Sequence, residues 1–245
     1  MNFAGTDLTT KGLEVLRISG QTYMPQINSP LQPILNKAIV FTSTLQSRII
    51  KVSVVVKKDS EADLKTALDD LMLILNPQLG EQTLYLDWPN ALRYYTAKLT
   101  DMSDWDTSGG NFALADLTFT CADPMAYSTT QVDEDTLITS DTQTVTTTPG
   151  GSAIIRPVIT ITFTANDTIT IENTDTGESV VFDTDGAAGS IVIDSDGYTV
   201  TGDVDGGFTG QLPRLLPGQL NTLTIKNAYG ASNGNCNITY RDAYL

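Results

Sequence analysis

Along most of this chain, apolar residues alternate with polar ones instead of recurring every three or four positions, which is the period of a half-buried strand. Residues 13–18, LEVLRI, read as a short first strand. Residues 21–37 carry Pro25, Pro30 and Pro33, which fix φ and remove donors, so an extended or looped path is predicted there and not a helix. The run 39–58, IVFTSTLQSRIIKVSVVVKK, holds two strand-grade stretches, the second rich in Val and Ile and closed by Lys57 and Lys58. One segment breaks the pattern. In 61–76, EADLKTALDDLMLILN, Leu64, Ala67, Leu68, Leu71 and Leu75 share one stripe at helical spacing. Ser60 suits the N-cap, Glu61 and Asp63 sit in the first turn where the helix dipole favours them, and Pro77 stops the run. A helix packed on a sheet is predicted. Strand patterns resume at 82–88, 93–105 and 112–121, with 106–111, DTSGGN, as a turn.

The stretch FTCADPMAYS, 119–128, ends that series. Pro124 pushes Asp123 toward an extended shape and denies a ladder its N–H, so a strand must stop there. The composition then changes: 128–151 is nearly pure Thr, Ser and acid, a connector or edge strand closed by Pro149-Gly150-Gly151. Beyond it, 156–164, 168–174, 178–184, 190–196, 198–203, 221–227 and 236–245 alternate or run β-branched. They are separated by turn signals at Asn166-Asp167, Asp175-Thr176-Gly177, Asp196-Gly197, Pro217-Gly218 and Asn233-Gly234. This predicts a mainly β chain with two domains. Residues 1–130 form a β-sheet domain with one helix at 61–76, and residues 131–245 an all-β sandwich or jelly roll.

Charge sharpens the division. Lys and Arg number 14 against 29 Asp and Glu, a net of −15. Residues 1–130 hold 10 basic and 14 acidic residues, whereas 131–245 hold 4 and 15. No basic stripe offsets the acidic excess, so neither a nucleic-acid backbone nor an anionic membrane surface is an expected partner. No apolar run is long enough to span a bilayer, and the opening MNFAGTDLTTKGLEV lacks the basic and apolar blocks of a signal peptide. Cys121 and Cys236 lie in different halves and suggest neither a disulfide framework nor a metal cluster; folding in a reducing cytoplasm is expected. The chain has no His, which removes the commonest general base and metal ligand.

Three acidic turns invite a metal reading: Asp183-Thr184-Asp185-Gly186, Asp194-Ser195-Asp196-Gly197 and Asp203-Val204-Asp205-Gly206. The six carboxylates Asp183, Asp185, Asp194, Asp196, Asp203 and Asp205 are weak Ca²⁺ candidates. The remaining ligands, the closing Glu and the flanking helices of a helical calcium loop are missing, and Asp-Gly closing hairpin turns is the simpler reading. No spacing singles out an acid and nucleophile pair for glycoside hydrolysis, and no nucleophile elbow or phosphate loop occurs, so no enzyme and no cofactor is expected. Cys121 reads as a buried small hydrophobe, and Trp88 and Trp105 as core or interface anchors. At the C-terminal end, NITYRDAYL, a strand-like aromatic run predicts a tethered terminus; Arg241 and Asp242 would point to opposite faces, and Tyr240 and Tyr244 to one.

Taken in order, FAGTDLTTKGLEVLRISG, the helix-bearing sheet domain, FTCADPMAYS, the later TGE and LLPGQLNTLTI, and the terminal ITYRDAYL resemble the distal tail proteins of siphophages over nearly the whole chain. The most specific pieces are Cys121, Asp123, Pro124 and Tyr127; Pro217, Gly218 and Asn221; and Tyr240, Arg241, Asp242, Tyr244 and Leu245. Two places depart from the family: a Gly-Arg-Asp-Gly-like loop is replaced by SPLQPILNKAIV, and the usual Asp-Pro-Phe reads Asp123-Pro124-Met125. The resemblance implies a structural protein of the virion tail tip, made in the host bacterial cytoplasm. Its N-terminal domains would form a homohexameric ring joining the tail tube protein to the tail-tip hub protein. Its lectin-like C-terminal sandwich would project outward and carry receptor-binding proteins. The competing reading is a carbohydrate-binding module for host envelope glycans, with Tyr198, Phe208 and Tyr229 as its aromatics.

Overall fold

Strand alternation becomes antiparallel ladders nearly everywhere it was predicted. The computed structural model describes residues 1–21, 27–28, 31–34, 37–40, 44–87, 92–107, 110–163, 168–184, 188–227 and 234–245. The chain divides into two compact units, Met1–Thr129 with Leu245, and Thr130–Tyr244.

The first unit begins with two short strands, β1 (Asn2–Phe3) and β2 (Thr6–Asp7), and a 3-10 turn at Leu8–Lys11. β3 (Leu13–Ser19) follows. Then come four short strands, β4 (Ile27–Asn28), β5 (Leu31–Ile34), β6 (Lys37–Val40) and β7 (Thr44–Leu45). β4 pairs with β7 and β5 with β6, so the proline-bearing segment folds back on itself as an arm. β8 (Arg48–Lys57), the helix α1 (Glu61–Ile74), β9 (Gln82–Tyr85), β10 (Arg93–Met102) and β11 (Phe112–Cys121) complete the unit, together with the first residues of β12 (Ala126–Ile138). The ladder order is β2-β1-β9-β10-β11-β8-β3, with Tyr127 and Ser128 of β12 beside Tyr94 and Arg93. Leu13, Ile50, Val52, Val54, Leu84, Ala97, Leu117 and Phe119 form the core, and Phe3 packs on Phe119 with ring centroids 5.2 Å apart.

α1 starts where the sequence places it. Ser60 Oγ accepts from the Asp63 N–H at 3.1 Å and donates to the Asp63 carboxylate at 2.6 Å, a reciprocal cap. Leu64, Ala67 and Leu71 are buried within it, Leu75 is buried at its cap, and the helix touches β8 and β11. It stops two residues before the predicted 76, because Asn76, which precedes Pro77, is extended at φ −67° and ψ 117°.

The second unit is a sandwich of two five-stranded sheets. One has the order β18-β17-β14-β21-β12 and the other β13-β20-β15-β16-β19. The ranges are β13 (Thr142–Thr147), β14 (Val158–Phe163), β15 (Thr168–Asn173), β16 (Glu178–Asp183), β17 (Gly189–Asp194), β18 (Thr199–Gly202), β19 (Asp205–Gly210), β20 (Asn221–Asn227) and β21 (Gly234–Tyr244). Ile159, Ile161, Ile169, Ile171, Phe182, Ile191, Ile193, Leu223, Ile225 and Ile238 fill the space between the sheets.

Of the two paths expected for the Thr- and Ser-rich segment 128–151, connector or edge strand, the strand holds: it supplies β12, which borders β21, and β13, the edge strand of the other sheet. Polar residues suit such edges because one face and one side of the ladder meet water. Of the three Asp-x-Asp-Gly turns, only Asp194–Gly197 closes a hairpin, between β17 and β18. The other two lie where the chain crosses between sheets, from β16 to β17 and from β18 to β19, so their strands pair elsewhere.

Candidate functional site

In the first unit the Asp-Pro corner is a closed hydrogen-bonded turn. The Asp123 carboxylate accepts the Met125 N–H at 3.1 Å and the Tyr127 hydroxyl at 2.5 Å, spanning the buried Pro124. The Tyr127 ring lies 5.9 Å from Tyr94, and Tyr94 lies 5.8 Å from Tyr85, which makes a row of three aromatics beside the corner. Cys121 is fully buried and stands opposite Arg48 in the ladder. Burial pushes its thiol up to about 12, with Asp123 and Glu81 adding to the rise and Arg48 opposing it. The thiol is therefore protonated and inert.

Arg48 itself is the surprise of this region. It is 4% exposed, donates through Nη1 to the Gln21 carbonyl at 2.8 Å and sits 5.5 Å from the Tyr95 ring centroid. The Tyr95 hydroxyl donates to the same carbonyl at 3.2 Å, and burial raises that phenol's pKa against the opposing Arg48. Arg48 Nε and Nη2, like Trp105 Nε1, are buried with no hydrogen-bond partner among the described residues. Gln21 and Arg48 flank the arm of β4–β7, so this buried cation ties the two legs of the arm at their base. Sequence reasoning passed over Arg48; the one available signal was a cation at the head of a Val- and Ile-rich strand.

The second unit gathers the other motif residues. Asn221 is fully buried: its Oδ1 accepts the Leu216 N–H at 2.7 Å, and its Nδ2 donates to the carbonyls of Leu216 and Gln219 at 2.9 and 3.0 Å. The Leu216-Pro217-Gly218 turn is thus held by one side chain, and the Gly218 N–H donates to the Pro149 carbonyl at 2.8 Å. Buried Asn173 works alike, accepting from the Asp175 N–H and donating to the Arg214 carbonyl at 2.6 Å. Glu178 of the TGE motif bonds the Arg214 N–H at 3.0 Å and the Arg214 Nε at 2.9 Å.

The terminal strand closes the same network. The Tyr240 hydroxyl meets Thr147 Oγ1 at 2.7 Å, and Thr147 Oγ1 lies 2.8 Å from the Glu134 carboxylate. Burial raises the Tyr240 phenol's pKa; the Thr147 bond opposes that, and Glu134 and Asp242 add to it. Asp242 accepts the Gly150 N–H at 2.7 Å, and the N–H groups of Ser152 and Ala153 donate to the Ala243 carbonyl. Gly151 holds φ +82°, and a Cβ there would lie 2.1 Å from the Ala243 oxygen. Tyr240, Asp242 and the Pro149-Gly150-Gly151 corner therefore lock one another. Arg241, adjacent to both, and Tyr244 are engaged in other interactions.

The acidic turns serve the backbone. Asp194 accepts the N–H groups of Asp196 and Gly197 at 3.0 and 2.9 Å, Asp203 accepts the Ser190 N–H at 2.9 Å, and Asp183 accepts the Thr168 hydroxyl at 2.6 Å. Asp205 stands opposite Asp183 in the ladder, and Asp185, like Trp88 and Tyr229, lies outside the described residues. Among the described residues, no group of three or more His, Cys, Asp or Glu is placed to hold a metal ion. No described helix is long and apolar enough to cross a membrane.

Comparison with known proteins gives a consistent fold. Residues 13–121 match the family model described as the phage tail protein RIFT-related domain. A search of curated proteins by sequence finds no match. Among solved structures, the Dit protein of phage SPP1, described as a paradigm of the hub adsorption apparatus in phages infecting Gram-positive hosts, is similar at TM-score 0.74. It is 20% identical, and the match covers 99% of this chain and 98% of that one. A chain of the phage P2 baseplate in its activated conformation is similar at 13% identity and TM-score 0.48, over 96% of this chain and 92% of that one. A second such chain follows at 12% and 0.46, over 91% and 93%. These last two scores are too low to bear on the fold. The mainly β architecture and the likeness to a distal tail protein that the sequence motifs implied are both met by these findings.

Proposed function

We propose that this chain, which carries the phage tail protein RIFT-related domain over residues 13–121, is a non-catalytic component of a long non-contractile tail tip. In this reading six copies form a ring that joins the tail tube protein to the hub protein. Residues 1–130 supply the ring, and residues 131–245 carry receptor-binding or other peripheral proteins. The observation that carries the reading is the shared fold over 99% of the chain with a distal tail protein, together with the family match.

Physical features of the units agree with it. A ring needs a heterologous contact that closes. β3 is the last strand of its ladder, and Leu16 on it and Ile49 on the neighbouring β8 are 58% and 53% exposed, which is suited to such a contact. The acidic second unit repels its own kind and stays dispersed at high local density. Light scattering and negative-stain microscopy of the purified chain, alone and mixed with tail tube and hub proteins, test the proposal. Six-fold rings are expected in at least one mixture; a particle that stays monomeric in all of them rejects it.

A further inference from the structure

The second unit holds an aromatic residue whose placement its own packing does not explain. Tyr198 is 60% exposed and has φ +52°, a left-handed conformation that residues with a bulky side chain rarely adopt. It ends the turn between β17 and β18, whose path is set by the two N–H groups that Asp194 accepts. Gly or Asn would sit there without strain. Backbone strain at an exposed aromatic residue points to a use for the ring itself.

Among the described residues, one ring-to-ring contact anchors the Tyr198 ring. Tyr198 meets Phe208 of β19 edge-on, with centroids 5.7 Å apart and planes at 66°. Phe208 is half-buried and stands opposite the fully buried Phe182 in the ladder. Phe208 therefore belongs to the rim of the core, and Tyr198 presents a supported aromatic surface to solvent. β18 and β19, which bear the pair, end their respective sheets, and the space above Gly207 is open. Exposed carboxylates lie close in sequence, at Asp196 in the same turn and Asp205 in β19.

We propose that Tyr198, supported by Phe208, is a stacking platform for a neutral or amino-substituted sugar. A pyranose offers a C–H face that packs on an aromatic ring, and hydroxyl or ammonium groups that donate to carboxylates and strand-edge carbonyls. Charge narrows the class. Residues 131–245 carry 4 basic against 15 acidic residues, so uronic-acid, sialic-acid and phosphosugar polymers are repelled. The inference does not depend on the tail-tip reading.

The test uses the full chain on an array of neutral, amino and anionic glycans, followed by calorimetric titration of the bound glycans. Binding is expected only in the neutral and amino classes. Tyr198→Ala and Tyr198→Asn should weaken it by about tenfold or more, and Tyr198→Phe by less than about threefold. Tyr198→Asn separates this role from a structural plug: its melting temperature should hold or rise because Asn tolerates the left-handed turn. Ring formation should be unchanged in all three variants, so failure of this site and failure of the tail-tip assignment are read separately. The proposal is overturned if no neutral or amino glycan binds, if Tyr198→Ala binds as the parent does, or if anionic glycans bind equally well. It is also overturned if Tyr198→Asn loses binding together with its fold.

Discussion

The two motif clusters differ in how completely their buried polar groups are satisfied. Around Asn221, Asn173 and Tyr240 in the second unit, each buried side chain named is matched to backbone or hydroxyl partners. Around Arg48 in the first unit, a buried guanidinium donates to the Gln21 carbonyl, and its Nε and Nη2 meet no hydrogen-bond partner among the described residues. A fully matched network specifies one geometry and fails when any member is removed. A partly matched buried cation stabilises its own fold little. The first cluster flanks an arm whose described strands pair with one another; the second holds loops of a sandwich.

The harshest way to break the comparison is at the fully matched end. Gly151→Val places a branched Cβ where only 2.1 Å separates it from a backbone oxygen, at a positive φ. A loss of roughly 3 kcal/mol or more is expected, read by denaturant or thermal unfolding, with the second unit failing to fold as the extreme. Asn221→Ala comes next. It orphans the Leu216 N–H and two carbonyls in a fully buried turn, for a loss of about 2–3 kcal/mol.

Alkaline titration tests what the units share. Cys121 and Cys236 both have thiols pushed up to about 12 from a reference of 9.0, and Tyr95 and Tyr240 are also raised. A raised acid favours the protonated folded state, so its contribution is complete below the unfolded pKa and is lost as pH climbs through the folded one. Stability should therefore fall between about pH 9 and 12, by about 1.4 kcal/mol per pH unit for each thiol. Cys121→Ala should flatten that slope for the first unit and Cys236→Ala for the second; an unchanged slope in both would discount the buried thiols. The smallest effect belongs to Arg48→Met. Exchanging a poorly paired buried cation for an apolar chain of similar length should shift stability by less than about 1 kcal/mol in either direction. A loss near 3 kcal/mol would show that Arg48 is as fully engaged as Asn221 and would erase the contrast.

Legibility in the sequence followed the range of the interactions. The helix was readable because its cap and stripe are local: Ser60 to Asp63, and Leu64 to Leu71. The Asp123-Pro124 corner was readable for the same reason, since its bonds reach no further than Tyr127. Partner choice was not readable. Asp203–Gly206 carries a hairpin's composition, yet β18 pairs with β17 and β19 with β16, because burying two sheet faces outweighs a local turn preference. The same holds for 128–151: its Thr and acid residues suit a connector or an edge strand alike, and what decides is distant, since Thr147 bonds both Glu134 and Tyr240, the latter 93 residues away. Arg48 was hidden because a single cation among valines reads equally well as a solvated strand end.

The two sequestered sulfurs have a practical corollary. Maleimides and iodoacetamides attack thiolates, and neither native cysteine offers one at neutral pH in the folded chain. A single cysteine introduced on an open surface would become the one labelling handle, with the parent sequence otherwise intact. Fluorophores or spin labels attached there would report spacings between copies in the proposed ring directly, without a cysteine-free background having to be engineered first.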